Sequence, residues 1–279
     1  MEQRRRRKLK NAIIRSRIPF KGALARGYLR ACERYLSLRG RDDRRVSANG
    51  LALPPGRLRV LVAGTAEIDW FLSSGKAQAD YLRRLLSQAG HPVEGMDAIL
   101  DFGCGCGRIA RWFADLLGPQ LNGCDYNREL VDWCNANLGF MHARKTELQP
   151  PLPYADDSFD FLYVFSVFTH LSVELAERWM GELARVVKPG GLVWFTIHGE
   201  SYKERLLPEE KTRFDAGEIV VWLPEIEGTN LCGAYWPSAS VEGMLGSDFE
   251  VLVHLDPQAD PTTAEDARLT HDAYLVRRL

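Results

Sequence analysis

Residues 99–108 read Ile-Leu-Asp-Phe-Gly-Cys-Gly-Cys-Gly-Arg, an apolar run that ends in an acid and continues into three glycines spaced two apart. The residues that follow, 109–117, are apolar at helical spacing, which predicts the order buried strand, glycine turn, helix. Such a turn lets the backbone approach a ligand closely and points free helix N–H groups at it. We therefore expect a nucleotide-like ligand at the carboxyl end of a doubly wound sheet.

The glycine spacing separates two classes of nucleotide ligand. A dinucleotide fingerprint is GxGxxG, and its third glycine brings helix and strand together around a pyrophosphate. Here the pattern is GxGxG, and position 108 is Arg. A pyrophosphate is therefore disfavoured, although glycines at this spacing can also mark only a tight turn.

Three further segments follow in order along the chain. Residues 121–125 predict a short strand that ends in Asp125, 24 residues after Asp101, where a carboxylate can accept both hydroxyls of a ribose. Residues 152–160, Leu-Pro-Tyr-Ala-Asp-Asp-Ser-Phe-Asp, form a polar turn before an apolar strand at 161–167. Residues 183–195 predict the end of a helix, a Pro-Gly-Gly turn and another strand.

Together these segments resemble the class I S-adenosylmethionine-dependent methyltransferases, whose motifs are DxGxGxG, LPFxDxSFD and LxRVLKPGGxL. The resemblance spans roughly residues 60 to 279, and the chain is identified as a bacterial member. It is most similar to a subgroup with the segments Ser-Val-Phe-Thr-His-Leu (166–171), Thr-x-His-Gly (196–199) and Gly-Thr-Asn-Leu-Cys (228–232). The family implies an α/β fold, a Rossmann-like seven-stranded sheet with helices on both faces, here with an N-terminal helical appendage.

The resemblance also implies S-adenosyl-L-methionine as the cofactor. No metal is expected, because the cysteines form neither a CxxC pair nor a His/Cys cluster. The cofactor-binding positions that it implies are Asp101, Gly103, Cys104, Gly105, Gly107, Asp125, Tyr126, Thr146, Glu147, Leu148, Phe165 and Ser166.

Two histidines are candidates for a catalytic base. Methyl transfer to a hydroxyl requires removal of a proton, and imidazole titrates near neutrality. His170 follows the predicted fourth strand and His198 follows the fifth, so both lie at the carboxyl edge where ligands bind. A structural role in hydrogen bonding to backbone is an equally weighted alternative for each.

Composition and turn signals suggest how the chain is divided. Pro54-Pro55-Gly56 marks a break, which predicts an appendage at 1–53 and a catalytic domain at 54–279. Residues 200–248 are inserted between the fifth strand and a closing antiparallel pair at 249–255 and 272–277, and we expect them to form the acceptor-recognition wall. The six cysteines form no CxxC pair, so reduced thiols in a cytoplasmic protein are expected.

Charge is distributed very unevenly along the chain. Residues 1–45 carry a net charge of +12 and the remainder −13. Apolar residues at helical spacing predict a basic amphipathic helix at 23–39. The arginine run at 4–7 lacks the apolar core of a secretory signal. Three interpretations are open: a lid helix with a solvated tip, peripheral contact with the anionic inner membrane, and, third in weight, nucleic-acid binding, since no nucleic-acid module is recognisable.

The expected function is O-methylation of a bacterial glycan, glycolipid or small metabolite. N- or C-methylation of a small molecule is the alternative within the same family. A non-catalytic cofactor-binding protein and an NAD-dependent oxidoreductase are alternatives of other classes, and Arg108 opposes the latter.

Overall fold

A central seven-stranded sheet organises the fold. The structure is a computed structural model, and it describes residues 21–39, 46–47 and 50–279. The sheet order is β3-β2-β1-β4-β5-β9-β8. Its strands are β1 (Ala98–Phe102), β2 (Gln120–Asp125), β3 (Met141–Lys145), β4 (Phe159–Val164), β5 (Val187–Ile197), β8 (Phe249–Leu255) and β9 (Asp272–Arg278). A separate antiparallel pair is formed by β6 (Val220–Trp222) and β7 (Gly233–Tyr235).

The strands from β3 to β5 are parallel, and β9 runs antiparallel between β5 and β8. The register pairs Ile197 at the end of β5 with Asp272 at the start of β9. The predicted α/β fold with a closing antiparallel pair is confirmed. Carboxyl ends of the parallel strands and the amino end of β9 therefore meet at one edge of the sheet.

Eight α-helices lie in the part of the chain that the structure describes. They are α1 (Lys21–Arg39), α2 (Gly56–Ala63), α3 (Ile68–Gln88), α4 (Arg128–Asn137), α5 (Val173–Val186), α6 (Pro208–Asp215), α7 (Ser238–Leu245) and α8 (Pro261–Asp266). The helix predicted at 23–39 is confirmed by α1.

The helix predicted at 109–117 is wrong: only a 3-10 turn forms, at Ala110–Phe113. The buried guanidinium of Arg111 donates to the Ser47 hydroxyl (2.9 Å) and to the carbonyl of Ala52 (3.0 Å). Its apolar neighbours Ala110 and Phe113 are still buried, because a 3-10 turn also directs residues three apart to one side.

Successive residues of the central strands point to opposite faces of the sheet, so their side chains form two apolar layers. On one face lie Leu100, Leu162 and Val193, packed with α5 and α7. On the other face Ile99 and Trp194 belong to the layer that packs with α3. This sandwich fixes the carboxyl edge of the sheet on which the loops converge.

Two N-terminal helices lie over this edge. Ala25 of α1 is buried in an apolar cluster with Leu223, Ile226 and Leu231. Val62 of α2 packs on the glycine turn after β1. No described helix is both long enough and apolar enough to cross a bilayer.

Candidate active site

The glycine turn after β1 adopts backbone conformations that only glycine accommodates easily. Gly103, Gly105 and Gly107 have φ values of 77°, 55° and 67°. A Cβ on Gly105 would lie 2.5 Å from Cγ2 of Val62, and one on Gly103 would collide with Val167. The absence of side chains at Gly103 and Gly105 therefore lets Val167 and Val62 pack directly on the turn.

Asp125 connects the end of β2 to the glycine turn. Its carboxylate is 8% exposed and accepts the backbone N–H groups of Gly105 (3.0 Å) and Asn127 (2.8 Å). Burial raises the pKa of this carboxyl, and the two N–H donors oppose that rise. Next to it, Tyr126 is half exposed and donates its hydroxyl to the Gly228 carbonyl at 2.9 Å.

Asp101 is a second buried acid at the same edge. Burial raises the pKa of Asp101 to about 7, and the nearby Tyr163 hydroxyl and Arg108 guanidinium act in the opposite direction. Arg108 donates to the Ser74 hydroxyl at 3.2 Å, and burial lowers the pKa of this guanidinium to about 10. The edge thus holds two carboxyl groups, Asp101 and Asp125, whose burial disfavours the ionised form.

Three other predicted cofactor positions follow β3 or β4 at the same edge of the sheet. Thr146 is buried and donates its N–H to the Asp125 carbonyl at 3.0 Å. Leu148 packs against Gly228, and Ser166 has a φ of 56° and donates its N–H to the Thr196 hydroxyl at 2.8 Å.

The three remaining predicted cofactor positions differ in how far they are exposed. Cys104 is buried beneath the glycine turn, and Phe165 is half buried against Trp194. The Glu147 side chain is 80% exposed and forms an ion pair with Lys145.

The two candidate histidines lie together. Nδ1 of His170 is 2.7 Å from the Cys232 carbonyl oxygen. The ring of His170 meets the ring of His198 edge to face, with centroids 6.2 Å apart. His198 is buried, and its ring stacks on Tyr202 (4.3 Å) and His271 (5.1 Å).

Sequence reasoning missed His271 and the fully buried Asp272. Burial lowers the pKa of His271 to about 3, and the nearby His170 and Arg205 act in the same direction. Asp272 accepts the Ser201 hydroxyl at 2.6 Å. Extending the β5–β9 register by one residue places His271 opposite His198, so correct antiparallel pairing of the two predicted strands could have located it.

The turn at 228–232 links the two halves of the site. Gly228 accepts the Tyr126 hydroxyl on the carboxylate side and donates its N–H to the His170 carbonyl (2.7 Å) on the histidine side. The same turn supplies the Cys232 carbonyl to His170, and Asn230 reaches the Leu61 carbonyl of α2 at 3.4 Å.

These residues fit a cationic nucleoside better than a phosphate. The glycine turn permits close backbone approach, and the buried acids Asp101 and Asp125 complement positive charge. No group of three His, Cys, Asp or Glu side chains suited to a metal occurs among residues 21–39, 46–47 and 50–279.

Comparison with known proteins identifies the family. A family model described as methyltransferase domain matches residues 100–195. The methyltransferase GfsG of Streptomyces halstedii is 32% identical over 132 residues, which cover 45% of this chain and 45% of that protein. A protein of Encephalitozoon cuniculi named as a methyltransferase is 32% identical over 161 residues, 56% of this chain and 71% of that protein.

Solved structures agree on the fold. A protein of Pyrococcus horikoshii superposes with a TM-score of 0.53 at 15% identity and covers 76% of this chain and 95% of that one. An S-adenosylmethionine-dependent methyltransferase of Clostridium acetobutylicum has a TM-score of 0.51 at 11% identity, with coverage of 75% and 95%. With the glycine turn and paired acids at the expected sheet edge, the chain belongs to the S-adenosylmethionine-dependent methyltransferases.

Proposed function

We propose that this chain methylates a hydroxyl oxygen of a glycan, glycolipid or small metabolite, with His170 as the general base. The supporting observation is the 2.7 Å contact between Nδ1 of His170 and the Cys232 carbonyl oxygen. A carbonyl oxygen only accepts hydrogen bonds, so Nδ1 carries the proton, and Nε2 is the basic nitrogen of the neutral ring. A hydroxyl must lose its proton on methylation, whereas a neutral amine attacks through its lone pair without a base.

The protein's part in this reaction is to align the acceptor and take up one proton. When bound, S-adenosylmethionine would supply an electrophilic methyl carbon on a sulfonium, with a neutral thioether as the leaving group. Nε2 of His170 accepts the hydroxyl proton as the O–C bond forms. The Cys232 carbonyl holds the ring in one orientation, and His198 packs beside it as a positioning residue.

The same proposal assigns the cofactor side and the organisation of the chain. The glycine turn, Asp101 and Asp125 hold the cofactor with the neighbouring predicted positions, and the 200–248 insertion forms the acceptor wall. Residues 1–53 form an appendage to the catalytic domain at 54–279. The enzyme works in the cytoplasm, with its basic N-terminal segment in peripheral contact with the inner membrane.

The tautomer of His170 can be measured without an acceptor. Nitrogen NMR of the imidazole rings at neutral pH should show His170 protonated on Nδ1, because the Cys232 carbonyl accepts from it. A His170→Gln variant identifies the signal. Protonation on Nε2 would remove the basic nitrogen from the proposed position.

Kinetics test the base and the acceptor class together. The assay measures methyl label transferred from S-adenosylmethionine to soluble alkyl glycosides and, in parallel, to alkylamines of the same chain length. We expect label in the glycosides, and His170→Ala should lower turnover by about 10²–10⁴-fold with cofactor affinity unchanged. His142→Ala, which replaces an exposed histidine of β3, serves as the matched control. Label in the amines alone, or in neither set, contradicts O-methylation of a glycosyl acceptor.

A further inference from the structure

The outward side of α1 carries two adjacent stripes of different character. Arg26, Arg30 and Arg34 recur every fourth residue and are exposed. Leu24 (49% exposed) and Tyr35 (41%) lie three turns apart on a neighbouring stripe. At 3.6 residues per turn these positions form one basic edge and one apolar edge on the same open side of the helix.

The fold leaves Leu24, Arg26 and Arg30 of this side exposed to solvent. Ala25, on the opposite side, is the residue of α1 that is buried in the cluster with Leu223 and Ile226. Neither Arg26 nor Arg30 pairs with an acidic side chain in the described part of the chain. Two guanidinium groups with no acidic partner among the described residues, together with the exposed Leu24, give this helix a basic edge and an apolar edge that solvent reaches.

The inner side of the same helix rests on the acceptor half of the site. Leu231, which packs with Ala25, belongs to the 228–232 turn. That turn bonds the His170 backbone through Gly228 and the His170 ring through Cys232. A surface that receives the outward side of α1 would therefore be separated by one helix from the turn that contacts the proposed general base.

We propose that the outward side of α1 docks on an anionic phospholipid surface and that the acceptor is an amphiphile whose hydroxyl lies at that surface. Basic residues supply attraction to anionic lipid, and an aliphatic edge can enter the boundary between headgroups and acyl chains. The +12 net charge of residues 1–45 adds to the same attraction. The aliphatic Leu24 of this edge has no comparable use on nucleic acid, where aromatic and basic groups dominate. The acceptor half of this inference rests on the proposed O-methylation, whereas the docking half does not.

Vesicle binding by the full chain tests the docking half. The probe is a vesicle of phosphatidylglycerol and phosphatidylcholine in equal parts, compared with phosphatidylcholine alone. Each basic residue near an anionic surface contributes about fivefold to binding, so Arg26→Gln with Arg30→Gln should weaken it about 30-fold. The matched control is Arg84→Gln with Arg178→Gln, which removes the same charge from exposed positions of α3 and α5 and should leave binding within about threefold.

Two further variants and a competitor complete this test. Leu24→Ala should weaken binding, because the side chain that enters the lipid boundary is lost. Leu117→Ala, at a fully exposed site away from α1, should not. Equal binding to both vesicle types, equal losses in the two arginine pairs, or displacement from vesicles by duplex RNA at equal charge overturns docking on anionic lipid.

The acceptor half is tested by methylation at the vesicle surface. The probe is dodecyl glucoside, carried in anionic or in neutral vesicles, with methyl glucoside as the soluble comparison. Wild type should methylate the embedded glucoside faster in anionic vesicles, and the Arg26→Gln, Arg30→Gln pair should lose that gain while keeping its activity on methyl glucoside. Equal rates in both vesicle types overturn the amphiphile acceptor. Vesicle binding without methylation of either glucoside would instead contradict the proposed function.

Discussion

The carboxylate of Asp125 offers the sharpest test of the cofactor site, through the substitution Asp125→Asn. The native group accepts two backbone N–H groups, from Gly105 (3.0 Å) and Asn127 (2.8 Å), while 8% exposed. An asparagine side chain keeps one carbonyl oxygen and turns an NH₂ group toward the second N–H. One buried donor then loses its partner, which costs about 1–3 kcal/mol of folding stability.

Asp125→Asn should also weaken cofactor binding, independently of its effect on folding stability. A carboxylate that accepts ribose hydroxyls contributes charge-assisted hydrogen bonds of about 1.5–3 kcal/mol, so affinity should fall by roughly ten- to hundredfold. Titration calorimetry with S-adenosylhomocysteine measures this loss, and thermal unfolding measures the change in stability.

The control for Asp125 is Asp132→Asn. This carboxylate lies in α4, is 57% exposed and pairs with Arg128 within one helical turn. Its replacement should change cofactor affinity and stability little, because exposed ion pairs contribute at most about 1 kcal/mol. If Asp125→Asn binds S-adenosylhomocysteine within threefold of wild type, or if wild type binds NAD instead, the assignment of this edge is refuted.

Three further predictions follow from buried contacts. Because burial raises the pKa of Asp101 to about 7, the stabilisation from its protonated form is complete below the unfolded pKa of about 3.9 and is lost as the pH rises to 7. Unfolding of the ligand-free protein at a series of pH values should show this fall in stability, and Asp101→Asn should lack it. Gly199→Ala should lower the free energy of unfolding in denaturant by about 1–3 kcal/mol, because its Cβ would collide with the buried Asp272. Gly243→Ala in α7, which has open space around it, should raise it by up to about 1 kcal/mol. Deletion of residues 1–53 should preserve S-adenosylhomocysteine binding while lowering the melting temperature, since Arg111 then loses its partners; loss of binding would show that the segment belongs to the catalytic domain.

The sheet was predictable because its strands carry a strong local signal. Buried parallel strands read as short apolar runs, and two of them carry an acid at or next to their last residue, Asp101 in β1 and Asp125 in β2. The seven-stranded sheet then follows from the family resemblance, and the antiparallel pair β8 and β9 from its place at the end of the chain. In each case residues close in sequence are sufficient to indicate the element.

The helix expected at 109–117 shows where local pattern misleads. Apolar spacing of three and four is shared by an α-helix and a 3-10 turn, so the periodicity at Ala110 and Phe113 does not distinguish them. Arg111 departs from the amphipathic pattern because its guanidinium is buried against Ser47 and Ala52, some 60 residues earlier. Contacts of that separation leave no periodic trace in the sequence.

The candidate site was predictable only in part for the same reason. The positions of His170 and His198 follow from strand ends, and the ring-to-ring approach of 6.2 Å follows from β4 and β5 being neighbours. The partner of the His170 ring is a backbone carbonyl, at Cys232, and backbone groups have no residue identity that a sequence pattern can display. His271 required a correct antiparallel register before it could be placed opposite His198.

The 228–232 turn makes the two halves of the site dependent on one backbone segment. Tyr126, beside the acid proposed to hold the cofactor ribose, donates to the Gly228 carbonyl, and the N–H of the same residue donates to the His170 carbonyl. Cys232 then fixes which nitrogen of His170 carries the proton. A displacement of this turn would therefore disturb the contact next to Asp125 and the tautomer of the base together. For this reason substitutions in the turn should alter both cofactor affinity and turnover, whereas His170→Ala should alter turnover alone.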